Sequence, residues 1–407
     1  MAITDAASVL RNRNVSLFLA ARFCSAMAVM MFSVGVGWQV YALTHSAFAL
    51  GMVGLAQFLP AFLLTLPGGL AADRFSRRSI LLASFALEIL VGAALLALSL
   101  YPSPRAGWIF GVVAFVGVGR AFMAPANGSL LPVLVGPAAF PRAVAWNSTV
   151  FQIATIAGPA LGGVLYAFGP HLVYGTATGL LLSGFFFIAF MRGHWKVPNA
   201  SAGWHGLLEG VRFVFAKKAI LGAVSLDLFA VLFGGATALL PIFARDILHT
   251  GPWGLGILRS SPAVGAALMA LWLAHYPIRG RAGRRMFTCV ALFGLATIAF
   301  ALSRNFWISL VALIVLGAVD MVSVIVRGTL VQVSTPDAMR GRVSAVNMLF
   351  IGASNELGEF ESGVTAAWLG TVPATVAGGV GTLIVVLLWL RFFPTLRRAD
   401  RLENAVE

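Results

Sequence analysis

The chain has 407 residues, 59% of them hydrophobic and 10% charged, with a mean hydropathy of +0.92 and a formal net charge of +14. A soluble globular chain carries about 25% charged residues and roughly half apolar ones, which excludes a water-soluble enzyme of this size. Two cysteines, Cys24 and Cys289, both in apolar runs, exclude a disulfide framework and a cysteine-built metal site.

At about 34 residues for one span and its connection, the length holds about twelve crossings of a bilayer. The apolar segments run at 15–43, 47–71, 79–101, 107–131, 142–167, 172–192, 219–244, 254–277, 285–303, 306–333, 342–370 and 373–393. Arg11 and Arg13 precede a first segment too long for a signal-peptide core, so it is expected to stay as span 1. With the N-terminus inside, only Arg105, Arg245 and Arg304 of the 28 basic residues lie on the outer side. Arg22, Arg120, Arg259 and Arg327 fall within spans, and the rest gather in inner loops or at inner span ends. That bias sets both termini in the cytoplasm and accounts for the charge without a nucleic-acid partner.

The one long connection, 193–218, carries Trp204, Leu207, Leu208, Val211 and Phe215 at helical spacing, with His205, Glu209 and Arg212 on other faces. It reads as an amphipathic cytoplasmic helix lying on the membrane surface. It divides the chain into a six-helix bundle at 1–192, a linker at 193–218, and a six-helix bundle with a tail at 219–407. A repeat supports the division. Arg74, Arg77 and Arg78 coincide with Arg281, Arg284 and Arg285 at one offset, which also carries Arg120 onto Arg327. Two parallel six-helix repeats around a midplane site are a transporter architecture. The expected fold class is an all-α membrane protein of two pseudo-symmetric six-helix bundles.

Gly69-Leu70-Ala71-Ala72-Asp73-Arg74-Phe75-Ser76-Arg77-Arg78, between spans 2 and 3, resembles the loop signature of the major facilitator superfamily, with Ser76 where that pattern has its second glycine. The resemblance covers the whole chain. It implies a conformational latch at Gly69, Asp73, Arg74, Arg77 and Arg78, closing the cytoplasmic side when the cavity opens outward. Gly158-Pro159-Ala160-Leu161-Gly162-Gly163 in span 5 is similar to a motif of the superfamily's proton-coupled exporters. Span 11, from Ser354 to Gly363, and the run Leu239 to Asp246 look like the exporter branch that includes enterobactin exporters. The resemblance also places spans 1, 4, 7 and 10 around the central cavity.

Charges inside spans cost about 2.5–3.5 kcal/mol each on an insertion scale, so they face partners or a watery cavity. Six acids lie there: Glu88, Asp227, Asp320, Glu356, Glu359 and Glu361. They outnumber the arginines, and a carboxyl group taken out of water favours its neutral form, which suits it to carry a proton. Glu359 is the first choice for proton coupling, with Glu356, Glu361, Asp227 and Asp320 beside it; Glu88 reads as a structural acid. Arg22, Gln39, Arg120, Asp227, Asp320, Arg327 and Asn355 are the expected cavity residues, and Arg22 is expected to pair with Asp227 across it.

No Walker-type phosphate loop, H-E-x-x-H or G-x-S-x-G motif occurs, and the six histidines sit in loops or near span ends. No enzyme activity, cofactor or metal is therefore expected. The function expected is a proton-coupled antiporter that exports small amphipathic organic molecules, such as siderophores or drugs, from a bacterial inner membrane. Its partners would be substrate, protons and the lipid bilayer, and one chain would suffice. A nutrient importer of the same fold, or a non-transporting scaffold, is the alternative.

Overall fold

The structure, a computed structural model, describes residues 10–102, 104–193, 204–278, 280–336 and 339–398. Its elements are α1 (Arg13–Thr44), α2 (Ala47–Arg74), α3 (Arg77–Leu100), α4 (Ala106–Ala167), α5 (Pro170–Ala189), α6 (Trp204–Ala216), α7 (Lys218–Phe233), α8 (Gly251–His275), α9 (Ala282–Leu302), α10 (Phe306–Ser334), α11 (Arg340–Leu369), α12 (Thr371–Phe392) and α13 (Pro394–Arg398). Ten stretches among the described residues are long and apolar enough to cross a membrane. One of these, α4, has 62 residues, enough at 1.5 Å of rise per residue for two crossings of about 30 Å. With α11, whose three glutamates lower its hydropathy, the described helices accommodate twelve crossings.

Local sequence explains where the helices begin. Asn12 accepts from the Asn14 N–H at 3.0 Å ahead of α1, and Ser76 caps α3 in the same manner. Asn305 caps α10 by accepting from the N–H groups of Trp307 and Ile308. After α1 the chain turns through His45, whose φ of 47° is left-handed, while its N–H bonds back to Tyr41.

Two elements depart from the sequence expectation. The connection between spans 4 and 5 is tighter than a loop: two helices within α4 meet at a kink, where Gly136, with φ 69° and ψ 172°, leaves helical geometry. Only a residue without a Cβ holds that conformation cheaply, so Gly136 separates the two limbs of α4. Span 7, in contrast, is broken. After Phe233 the chain leaves the helix at Gly234 and Gly235, then proceeds through a 3-10 turn (Ala236–Leu239) and a π-helical turn (Phe243–Ile247). The break is steric as well as conformational, because a Cβ on Gly235 would stand 2.9 Å from the Gly358 carbonyl oxygen.

The helices group into two compact units. One comprises 1–45, 56–201 and 251–260; the other comprises 46–55, 202–250 and 261–407. In the first, α1 and α3 each pack against both α4 and α5. In the second, α9 packs on α10 and α12, and α7 on α11 and α12. One packing device occurs in both: Gly117 of α4 lies beneath the Gln57 carbonyl of α2, and Gly317 of α10 beneath the Pro262 carbonyl of α8. Small residues let backbones approach where lipid offers no hydrophobic drive between helices.

The linker helix α6 forms as expected, but it docks on protein. Gly210 approaches the Arg342 carbonyl to 2.9 Å from where a Cβ would be, and Glu209 pairs with Arg342 at the start of α11. Val214 is the buried residue of its last turns, whereas Phe215 is exposed.

Candidate functional site

The second unit holds a closed charge cluster. Asp320, Ser323 and Arg327 recur on one face of α10, and Asp227 meets that face from α7. Arg327 pairs with Oδ2 of Asp227, and the Ser323 hydroxyl donates to Oδ1 at 3.3 Å. Asp227 is 5% exposed and Arg327 3%, so the pair is removed from solvent. Asp320 is half-buried, makes no hydrogen bond among the described residues, and feels both members of the pair electrostatically. Asp227, Asp320, Ser323, Cys289 and Phe293 border a narrow cleft with about 10 Å³ of free space, close to the room that one water molecule needs. With every group ionised the cluster carries two negative charges against one positive, so it has room for a proton.

The first unit holds a looser cluster. Arg22 and Ser25 stand on adjacent turns of α1, Glu88 reaches them from α3, and Arg120 acts on Glu88 from α4. The Ser25 hydroxyl is 3.4 Å from Glu88 Oε2, while the Arg22 guanidinium lies 5.3 Å from the centre of the Phe151 ring, a cation–π distance. Phe18, Arg22, Ser25, Met123 and Asn127 line a closed seam beside it with no room for a water molecule. The expected partnership of Arg22 with Asp227 is corrected here. Asp227 is engaged by Arg327 within its own unit, because the two helix faces bring their side chains together there.

The acids of α11 have separate surroundings. Glu359 lies against α2, where a Cβ on Gly54 would meet its Oε2 at 3.2 Å. Glu361 points elsewhere and accepts a 2.7 Å hydrogen bond from Thr365, one turn on. Glu356 is half-buried, and Asn355 is exposed. Gln39, expected to line the cavity, is 6% exposed and accepts a 2.6 Å hydrogen bond from the Tyr174 hydroxyl. That bond ties α1 to α5 and occupies one of the two acceptor positions of the amide carbonyl.

The signature between spans 2 and 3 is divided among several tasks. Gly69, Asp73 and Arg74 close α2, with Arg74 exposed; the Asp73 side chain lies outside the described residues. Ser76, at φ −64°, needs no glycine and caps α3 by accepting from the Ser79 N–H at 3.1 Å. Arg77 is buried, and Arg78 donates to the carbonyls of Ile188 and Ala189 at the end of α5. In the second copy of the loop, Arg281 takes the left-handed conformation at φ 52°.

The Gly-Pro run of span 5 seats the second limb of α4 on two neighbours. A Cβ on Gly158 would stand 2.6 Å from the Met30 side chain, and one on Gly162 would stand 3.2 Å from the Met31 Cα, both on α1. On Gly163 it would come within 2.7 Å of Gly256, at the start of α8. There the Ser260 hydroxyl also donates to the Ile156 carbonyl at 2.7 Å.

A family model described as "Transmembrane secretion effector", of the major facilitator type, matches residues 4–405. The chain belongs to that family. Enterobactin exporters EntS of Citrobacter koseri and of Shigella boydii serotype 18 are 27% and 28% identical to it over 389 residues, covering 93% of this chain and 91% of each exporter. Among solved structures, a bacterial homologue of the human lysosomal transporter Spinster, captured inward-facing and occupied, superposes with a TM-score of 0.73 at 14% identity. It covers 94% of this chain and 97% of that one. A POT family transporter in complex with 5-aminolevulinic acid gives 0.72 at 12% identity, with 95% and 97% covered. The protein is a multi-pass membrane transporter of the major facilitator fold, not an enzyme.

Within this secretion effector, what the sequence does not reveal is partnership. Arg120 and Arg327 fall in step along it, yet the acid facing each comes from a different helix: α3 in one unit, α7 in the other. The common offset of the two arginines was the one available signal for paired clusters. Glu88, read as structural, proves to be the acid of the first.

Proposed function

We propose that the chain is a proton-coupled exporter of small amphipathic organic molecules, working by alternating access in a bacterial inner membrane with both termini in the cytoplasm. Bundles at 1–192 and 219–407 would move about the linker 193–218, with Asp73 and Arg74 latching the cytoplasmic side and one chain forming the whole path. Its relatives' names make a catecholate siderophore the first substrate to test. Such a ligand offers oxyanions to the arginines Arg22 and Arg120.

One observation carries the coupling assignment: Asp320, without a hydrogen-bond partner of its own among the described residues, shares a cleft with the buried Asp227–Arg327 pair. An acid so placed takes up a proton without breaking a bond, and each proton then changes the field at the pair. Glu359, against α2, is the alternative carrier.

The test uses inside-out vesicles holding the purified protein, an acid lumen and a pH-sensitive dye. Added enterobactin should accelerate loss of the gradient and accumulate in the lumen, and Asp320→Asn should abolish both. Accumulation that persists in Asp320→Asn but fails in Glu359→Gln would move the carrier to α11. If enterobactin, lipophilic cations and neutral drugs all leave the gradient unchanged, proton-coupled export of this class is overturned.

A further inference from the structure

We infer that Glu88 is a proton-binding site in its own right, held in the first unit apart from the Asp227–Asp320 cluster. Its role in transport rests on the proton-coupled reading above; its ability to bind a proton does not.

Glu88 is 1% exposed, and its Oε1 is buried with no hydrogen-bond partner. Its Oε2 has one contact with a polar group, the 3.4 Å approach of the Ser25 hydroxyl. An ionised carboxylate offers about four acceptor positions, and a buried one requires a touching counter-charge or several donors to offset its desolvation. Glu88 has neither among the described residues. The wall on the α4 side is a glycine: a Cβ on Gly119 would stand 3.4 Å from Glu88 Cγ and 3.6 Å from Oε1. This is the environment of a neutral carboxylic acid.

The charges around it make the proton exchangeable. Arg22 on α1 and Arg120 on α4 both act on the carboxyl group, and α5, the other helix packed on α3, contributes only Tyr174 and the terminal His171 as titratable side chains. Arg22 itself has a buried Nε with no hydrogen-bond partner. Carboxyl and guanidinium therefore each hold unused hydrogen-bonding capacity within one cluster. When the proton leaves, the carboxylate gains by turning toward Arg22. When the proton returns, the Ser25 oxygen is available to accept from the carboxyl O–H. One O–H bond breaks or forms, and the proton passes to or from solvent. The contrast with the other unit is direct: Arg327 is already bonded to Asp227, whereas Arg22 and Glu88 are neighbours without a bond.

The test is an infrared pH titration of the full-length protein reconstituted in lipid, read in the carbonyl region of protonated carboxyl groups. Wild type should show a band that disappears as the pH is raised, and Glu88→Gln should lack it while Asp320→Asn retains it. Arg22→Gln, which removes a neighbouring positive charge, should make that band persist to more alkaline pH. Glu88→Asp, which keeps a carboxyl group, should restore a titrating band and so guards against loss by misfolding. Identical titrating bands in wild type and Glu88→Gln would overturn the inference and leave Glu88 a fixed ion. Vesicle experiments without proton flux would remove its transport role but not this result.

Discussion

Asp227 on α7 and Arg327 on α10, 100 residues apart in sequence, form a buried ion pair inside one unit. The relationship ties two of the three helices that border the cleft, and it makes their charges interdependent. Removing one partner strands the other, which costs about 3–5 kcal/mol for a buried pair, whereas removing both is often close to neutral. Arg327→Met alone should therefore lower the unfolding temperature in detergent markedly, and Asp227→Asn with Arg327→Met should recover most of the loss. A double variant no more stable than the single one would show that the pair contributes through something other than its charge.

Gly163 of span 5 and Gly175 of α5 differ in what surrounds them. Gly163→Ala drives a methyl group into the backbone of α8, whereas Gly175 of α5 has nothing within 4 Å of an added Cβ. Overpacking costs about 1–3 kcal/mol where the neighbour is backbone. Thermal unfolding should fall for Gly163→Ala and stay unchanged or rise slightly for Gly175→Ala.

Gln39 and Tyr174 exchange one buried hydrogen bond. Tyr174→Phe leaves the Gln39 carbonyl oxygen without its donor, at a cost of about 1–3 kcal/mol, and Gln39→Leu strands the hydroxyl similarly. The double variant should be more stable than the sum of the two losses predicts. Since Gln39 is sequestered, transport by a folded Gln39→Leu variant should retain its apparent substrate affinity, measured in the vesicle assay.

Much of the fold was legible because lipid imposes one rule on every span: an apolar run of sufficient length. The limits at 79–101 and 306–333 lie close to those of α3 and α10. Breaks within helices were only partly legible. The interval 132–141 between two apolar runs holds the Gly136 kink where two helices of α4 meet. At Gly234 and Gly235, in contrast, an unbroken apolar run conceals a broken helix. The charged positions were likewise visible, but their partners depend on how each helix is rotated about its axis. Composition does not encode that angle, so Asp227 was assigned to Arg22.

The docking of α6 separates charge from packing. Glu209 and Arg342 are exposed enough that their pair should contribute no more than about 1 kcal/mol and should weaken with salt. Gly210 sits against backbone, and Gly210→Leu should undock the helix outright. Hydrogen exchange across α6 is the measurement: a small, salt-sensitive rise in Glu209→Gln, and a large, salt-insensitive one in Gly210→Leu. Equal rises would show that the ion pair carries the docking.

Arg78 gives its guanidinium to the last carbonyls of α5, of Ile188 and Ala189, where the regular hydrogen-bond ladder of the helix ends. The positive charge read as a signpost for orientation is also mortar between two helix ends. A protein built in this manner ties the act of insertion to the act of assembly. An arginine kept on its side of the bilayer is delivered to a helix end whose carbonyls can accept from it, and a lysine there would keep the address while losing the planar fork that bonds two of them at once.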